Sequence, residues 1–228
     1  MKVNAVVFDL DNTLLRFGVN VDWNSMRRSL VDYYLKSGVP VEFIAEYSRP
    51  LLLYARLYDT GKIHLSKERV LKIQEEASKI MEGYELQAVN KTSIIPGSIE
   101  VLKWLKERGI KIGIVTLQSE KSARRIFSKV DISGFADAIF YRDSPGRPKP
   151  YPDHIKSCIS ELKCKTSETL FVGDNTTDML AAREAGIYAV CVTVHEQYSE
   201  EELKKAGAKR LISNIGQLPS VIRELESK

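Results

Sequence analysis

Four short apolar runs constrain the fold most: "VNAVVFDL" (3–10), "KIGIVTL" (111–117), "ETLFVGD" (168–174) and "YAVCVTV" (188–194). Each is rich in Val, Ile or Phe and nearly continuous, which is how strands covered on both faces of a parallel sheet read. "ADAIFY" (136–141) and "KRLIS" (209–213) are weaker strands. Helical patterns lie between them. "SIEVLKWLKERG" puts Val101, Leu102 and Leu105 on one face and stops at Gly109, a C-terminal signal. "SARRIFSKV" gathers Ala123, Ile126, Phe127 and Val130, and "TTDMLAAREAG" gathers Met179, Ala182 and Ala185 ahead of Gly186. Strand and helix alternate from residue 96 onward, which predicts an α/β fold with a doubly wound, Rossmann-like parallel sheet.

Residues 16–90 break this rhythm. Phe43, Tyr47, Leu51, Tyr54 and Tyr58 recur every three or four residues, and Pro50 divides that stretch into two helices, because proline cannot sit inside one. Val70, Ile73, Ala77, Ile80, Met81 and Tyr84 form a further stripe, with Ser66 as its N-cap. No strand signal interrupts them, so the segment reads as a helical unit inserted after the first strand. Its aromatic stripe reads as core.

Composition excludes several classes of function. The net charge of +4 is spread over 34 basic and 30 acidic residues, with no Lys/Arg block of nucleic-acid type. No apolar run approaches the roughly 20 residues that span a bilayer. "MKVNAVVFDLDN" is an apolar run broken by Asp, unlike a signal peptide. Cys158, Cys164 and Cys191 are an odd number without CxxC spacing, which suggests neither a disulfide framework nor a thiolate zinc site. Three free thiols suit a reducing cytoplasm, so the expectation is a cytoplasmic protein that binds neither nucleic acid nor membrane.

The polar residues that follow the apolar runs carry the chemistry, since ligands of such sheets sit beyond the carboxyl ends of the strands. Asp9, Asp11 and Thr13 follow the first run, Thr116 ends the second, and Asp174 and Asp178 follow "LFVG". Lys149 lies in the loop "PGRPKPYPD". Any one of these residues has an ordinary explanation as a cap or a loop residue. Together, several carboxylates at one sheet edge repel one another unless a cation sits among them. Oxygen-only donors favour a hard ion such as Mg²⁺, bound together with phosphate oxygens. Lys149 supplies a point charge for those oxygens and Thr116 a hydroxyl. Alternate strand residues share a side, so Asp11 lies roughly 6–7 Å beyond Asp9 on the same side if the extended geometry continues.

"DLDNT" (9–13), Thr116, Lys149 in "RPKP" and "GDNTTD" (173–178) resemble, in order, the four motifs of the haloacid dehalogenase-like hydrolase superfamily. The helical insertion between the first and second motifs resembles the cap of its phosphoglycolate phosphatase-like members. The resemblance implies a discontinuous catalytic core of residues 1–15 and 91–228, with a helical cap of residues 16–90. It implies Asp9 as the nucleophile that becomes an aspartyl-phosphate, and Asp11 as the acid for the leaving alcohol and then the base for water. Mg²⁺ would be held by the Asp9 and Asp174 side chains and the Asp11 carbonyl. Asp178 would support the metal or Lys149, while Thr116 and Lys149 would bind phosphoryl oxygens and Thr13 would support the first motif. The sequence departs from the family where Leu117 and Gln118 follow Thr116, since many relatives place Asn there.

Asp11 argues against a dehalogenase, which needs no leaving-group acid at that position. A cap that limits access favours a small substrate. The expected function is a Mg²⁺-dependent phosphomonoesterase acting on a small phosphorylated metabolite. The alternatives are a phosphosugar mutase with the same catalytic set and a catalytically idle binding module. His64, His154 and His195 are scattered and read as surface or local hydrogen-bonding residues. Trp23, Arg27, Arg28, Arg49 and Arg56 read as parts of solvated helix faces in the insertion.

Overall fold

In the computed structural model, residues 1–59, 61, 65–193 and 198–227 are described. In chain order the strands are β1 (Ala5–Phe8), β2 (Leu15–Arg16), β3 (Ser93–Ile94), β4 (Lys111–Val115), β5 (Ala138–Phe140), β6 (Thr169–Gly173), β7 (Tyr188–Val192) and β8 (Arg210–Ile212). The helices are α1 (Trp23–Lys36), α2 (Val41–Glu46), α3 (Pro50–Arg56), α4 (Lys67–Ala88), α5 (Ser98–Glu107), α6 (Glu120–Phe127), α7 (Asp153–Glu161), α8 (Thr176–Ala185), α9 (Glu200–Ala206) and α10 (Leu218–Glu226).

Six strands form a parallel sheet in the order β5-β4-β1-β6-β7-β8. All residues of β1 and β6 are buried, as continuous apolar runs require when helices cover both faces. One apolar cluster contains Val6, Phe8, Ile112, Ile114, Leu170 and Val172, and a second, on the opposite side of the strands, contains Val7, Val115, Phe171 and Ala189. The chain builds outward from β1 through β4 to β5, then crosses back to lay β6 on the other side of β1. β1 and β6 therefore flank the reversal of strand order, the place where such sheets bind ligands.

Between β2 and β3 the described chain forms α1 to α4 and short 3-10 turns. β2 and β3 pair antiparallel, Leu15 with Ile94 and Arg16 with Ser93, so the two passages between sheet and helical insertion run side by side. Pro50 is the first residue of α3, and Ser66 caps α4 by accepting a hydrogen bond from Arg69 N–H at 3.3 Å. In α4, Val70, Ile73, Ala77 and Met81 are buried, but so are Gln74, Ser78 and Glu85. The fold is a doubly wound α/β sheet with an inserted helical cap. His154 is in the core, fully buried and bonded through Nε2 to the Ser144 carbonyl at 3.1 Å. His64 and His195 lie outside the described residues. Among the described residues no helix is long and apolar enough to cross a membrane.

Candidate active site

A cavity of about 930 Å³ lies between the carboxyl edge of the sheet and the cap, and Asp9, Asp11, Thr116, Lys149 and Asp174 all line it. Each comes from a strand end or the loop beyond one. Asp9 N–H donates to the Val172 carbonyl at 2.8 Å, extending the β1–β6 ladder by one residue, and Asp9 is only 6% exposed. Thr116 N–H does the same to the Phe140 carbonyl at 2.9 Å. Asp174 follows the last residue of β6.

Lys149 binds two carboxylates, Asp9 Oδ1 at 2.5 Å and Asp178 Oδ1 at 2.6 Å. Asp178 is the third residue of α8, and its Oδ2 accepts from the Asp174 and Asn175 amides at 3.2 and 3.4 Å. Asn175 returns the cap through its side-chain oxygen to the Thr177 and Asp178 amides. One carboxylate thus closes the N-terminus of α8 and fixes Lys149. This depends on Gly173, since a Cβ there would come within 2.6–2.7 Å of Asp178 side-chain atoms. Asp178 and Thr13 are fully buried and are not among the lining residues. The Thr13 hydroxyl has no hydrogen-bond partner among the described residues.

Carboxylate oxygens of Asp9, Asp174 and Asp178 all lie within 4.8 Å of one another. Among the described residues, the cation paired with these acids is the ammonium of Lys149. Burial pushes the Asp9 carboxyl up to about 7, with Lys149 pulling it down and Asp178 and Asp11 pushing it further up. Asp174 is raised well above the carboxylate range, first by burial and then by Asp178, Asp9 and Asp11. Burial opposes the charge on Lys149, but Asp178 and Asp9 override it and raise the ammonium above its ordinary value. The cluster is short of positive charge, and its donors are all oxygens. That fits a hard divalent cation of the Mg²⁺ kind.

The Asp11 carboxylate is turned toward the start of the insertion. Its Oδ1 accepts from the Phe17 and Gly18 amides at 2.9 Å each, and its Oδ2 from Gly18 at 3.0 Å. Trp23 Nε1 donates to the Gly18 carbonyl at 2.8 Å, bracing the same turn. Of the basic residues in the insertion, Arg27 and Arg49 line the cavity. Arg27 is bound to the Ser48 and Tyr47 carbonyls at 2.6 and 3.2 Å, and Arg49 lies over the Tyr198 ring at 4.9 Å. Arg28 and Arg56 are not among the lining residues.

Sequence reasoning did not single out Glu85 and Arg142. Arg142, fully buried, follows the end of β5 by two residues and pairs with Glu85 of α4. It also donates to Ser78 Oγ at 3.1 Å, the Ser78 carbonyl at 3.1 Å and the Leu117 carbonyl at 2.8 Å. Arg142 N–H donates to the Gln118 carbonyl at 2.9 Å, and Ser119 N–H to Glu85 at 3.2 Å. The loop after Thr116 is thereby tied to the cap. No local sequence signal marks this pair, since its members stand 57 residues apart.

A helical cap over the switch point of a doubly wound sheet, with acids, an ammonium and a hydroxyl in the cleft between, defines a capped α/β enzyme. The chain belongs to the haloacid dehalogenase-like hydrolase family, whose model matches residues 6–192. It is similar to pyrophosphatase PpaX of Bacillus mycoides, 29% identical over 200 residues, covering 85% of each chain. Among solved structures it resembles a hydrolase from Pseudomonas syringae with a TM-score of 0.66 at 23% identity, over 97% of this chain and 99% of that one. A haloacid dehalogenase-like family protein from Streptococcus pneumoniae matches with a TM-score of 0.65 at 21% identity, over 96% and 98% of the two chains. At such identities the structural likeness speaks for the fold.

Proposed function

We propose that this chain is a Mg²⁺-dependent phosphatase that cleaves a small phosphorylated metabolite, with Asp9 as nucleophile. The observation that carries the reading is the Asp9 carboxylate clamped by Lys149 at 2.5 Å inside an acid cluster short of positive charge. The pyrophosphatase name of a relative spanning 85% of this chain supports phosphoryl chemistry. Residues 1–15 and 91–228 serve as the catalytic core and residues 16–90 as the cap, with the β2–β3 pairing at the crossing. The three cysteines, all free, suit the cytoplasm.

The Asp9 and Asp174 carboxylates, with the Asp11 main-chain carbonyl, would hold the Mg²⁺. When bound, that ion supplies the positive charge that lets one anion approach another. Lys149 holds Oδ1 of Asp9 and orients the carboxylate for attack on phosphorus. As the Asp9–phosphorus bond forms, the ester P–O bond breaks and its electron pair stays on the leaving oxygen, which takes a proton from Asp11. In the second half, the Asp11 carboxylate takes a proton from water while that oxygen attacks phosphorus, and the Asp9–phosphorus bond breaks to free phosphate. One acid/base residue thus serves both halves. Thr116 and Lys149 contact the phosphoryl oxygens, and Asp178 keeps Lys149 in place.

The test is phosphate release from aryl phosphate and a panel of small phosphate esters, with and without Mg²⁺. The expected outcome is Mg²⁺-dependent release that a chelator abolishes and added Mg²⁺ restores. Isomerisation of a hexose 1-phosphate without phosphate release would identify a mutase, and silence across the panel would leave the binding-module reading.

A further inference from the structure

Around Thr116 the main chain is held at several points. Thr116 N–H bonds the Phe140 carbonyl, Gln118 N–H bonds Thr116 Oγ1 at 3.2 Å, and the Leu117 and Gln118 carbonyls both accept from Arg142. In this pinned loop the Gln118 carboxamide stands out. The residue is 5% exposed and belongs to the cavity wall, yet neither Nε2 nor Oε1 has a hydrogen-bond partner among the described residues. A buried donor and acceptor left unpaired are unfavourable, and a native fold retains such a group for a reason.

Resting on the phosphatase reading, we infer that Gln118 is a specificity residue that recognises a free hydroxyl on the leaving group. The favoured substrate is then a polyol- or sugar-like phosphate monoester and not inorganic pyrophosphate. The chemistry of the carboxamide selects the partner. A hydroxyl accepts from the amide N–H and donates to the amide oxygen, so one or two hydroxyls complete both ends. A carboxylate or a second phosphate serves the N–H only and leaves Oε1 unpaired beside an anion. An aryl or alkyl group serves neither.

Of the basic groups in the wall, Lys149 is bound to Asp9 and Asp178 and Arg27 to two main-chain carbonyls, so the choice between a hydroxylated and an anionic leaving group falls to the carboxamide itself.

The experiment measures kcat/KM for glycerol phosphate, hexose phosphates, phenyl phosphate and pyrophosphate in wild type, Gln118→Met and Gln118→Leu, with Tm for each protein. Wild type is expected to prefer at least one hydroxylated ester to pyrophosphate. Gln118→Met is expected to lower the ratio of hydroxylated ester to phenyl phosphate by about tenfold or more, because only the former loses a contact. Tm should hold or rise, since both substitutions remove unpartnered buried polar atoms. Equal losses on all substrates, or a lowered Tm with an unchanged ratio, would assign Gln118 a structural role and overturn the inference. So would a wild-type preference for pyrophosphate over every hydroxylated ester. Silence of wild type across the whole panel would instead bring down the phosphatase reading, and this inference with it.

Discussion

Two buried charge clusters border the same cavity, and they are built on opposite principles. Arg142 faces one carboxylate, Glu85, and completes its remaining donors with Ser78 and the Leu117 carbonyl. That cluster is balanced and closed. Lys149 instead faces Asp9 and Asp178, with Asp174 within 4.8 Å of both acids. That cluster has more negative than positive charge, and burial, with Asp178 and Asp11 adding to it against Lys149, raises the Asp9 carboxyl to about 7. Burying like charges together opposes folding, whereas a matched pair with satisfied hydrogen bonds holds two elements in register. The balanced cluster joins cap to core, and the acid-rich cluster has the electrostatics of the proposed reaction centre.

The largest expected effect comes from Asp9→Asn. It should lower kcat by roughly 10⁴-fold or more, as loss of an attacking group does. Because it removes a charge from the crowded cluster while Lys149 keeps Asp178, Tm should hold or rise. Activity assays beside thermal denaturation check both halves. Substantial residual turnover would remove Asp9 as nucleophile, and a large fall in Tm would erase the contrast between the clusters.

Arg142→Met should behave in the reverse way. It strands Glu85, 1% exposed, without its cation. Breaking a buried pair from one side costs about 3–5 kcal/mol, which in a chain of this size lowers Tm on the order of 10 °C. Replacing both members, Glu85→Met with Arg142→Met, should recover much of that loss, because no uncompensated charge remains. A single variant with unchanged Tm would show that the pair does not hold cap to core.

The two clusters also differ in how far the sequence reveals them. Asp9, Thr116 and Asp174 stand directly after doubly buried strands, whose continuous apolar runs are visible locally, and the sheet brings those strand ends together. In the insertion, α2 to α4 are legible from their period and the break before α3 from Pro50, whereas α1 (Trp23–Lys36) is not read as a stripe. Arg142 and Glu85 carry no such signal. One follows the short β5 and the other lies in the last turn of a 22-residue helix, where an acidic residue reads as solvated. The two-residue pairing of β2 with β3 is too short for any alternation to show. His154 is buried because it lies on α7 beside Ile155, Cys158 and Ile159, a stripe too short to announce the helix by itself.

A smaller effect tests how the cap's first turn bears on the reaction centre. Gly18 lies so close to Asp11 that a Cβ at that position would fall well inside contact with the Asp11 carboxylate, with Trp23 Cζ2 only 3.2 Å away. Trp23 is tied to the Gly18 carbonyl and the Phe17 amide binds the same carboxylate, so the turn has little room to yield. Gly18→Ala must therefore shift the Asp11 carboxylate off the two amides. If Asp11 delivers the leaving-group proton, a displacement of about 1 Å should lower kcat roughly 100-fold. The loss should be smaller for esters whose leaving oxygen needs little protonation, such as nitrophenyl phosphate, than for alkyl phosphates. Equal losses on both ester types would mean that Gly18 shapes the cavity without acting through Asp11. A loss confined to alkyl esters would assign the proton to Asp11 and set its carboxylate apart from those of Asp9 and Asp174, the proposed metal ligands.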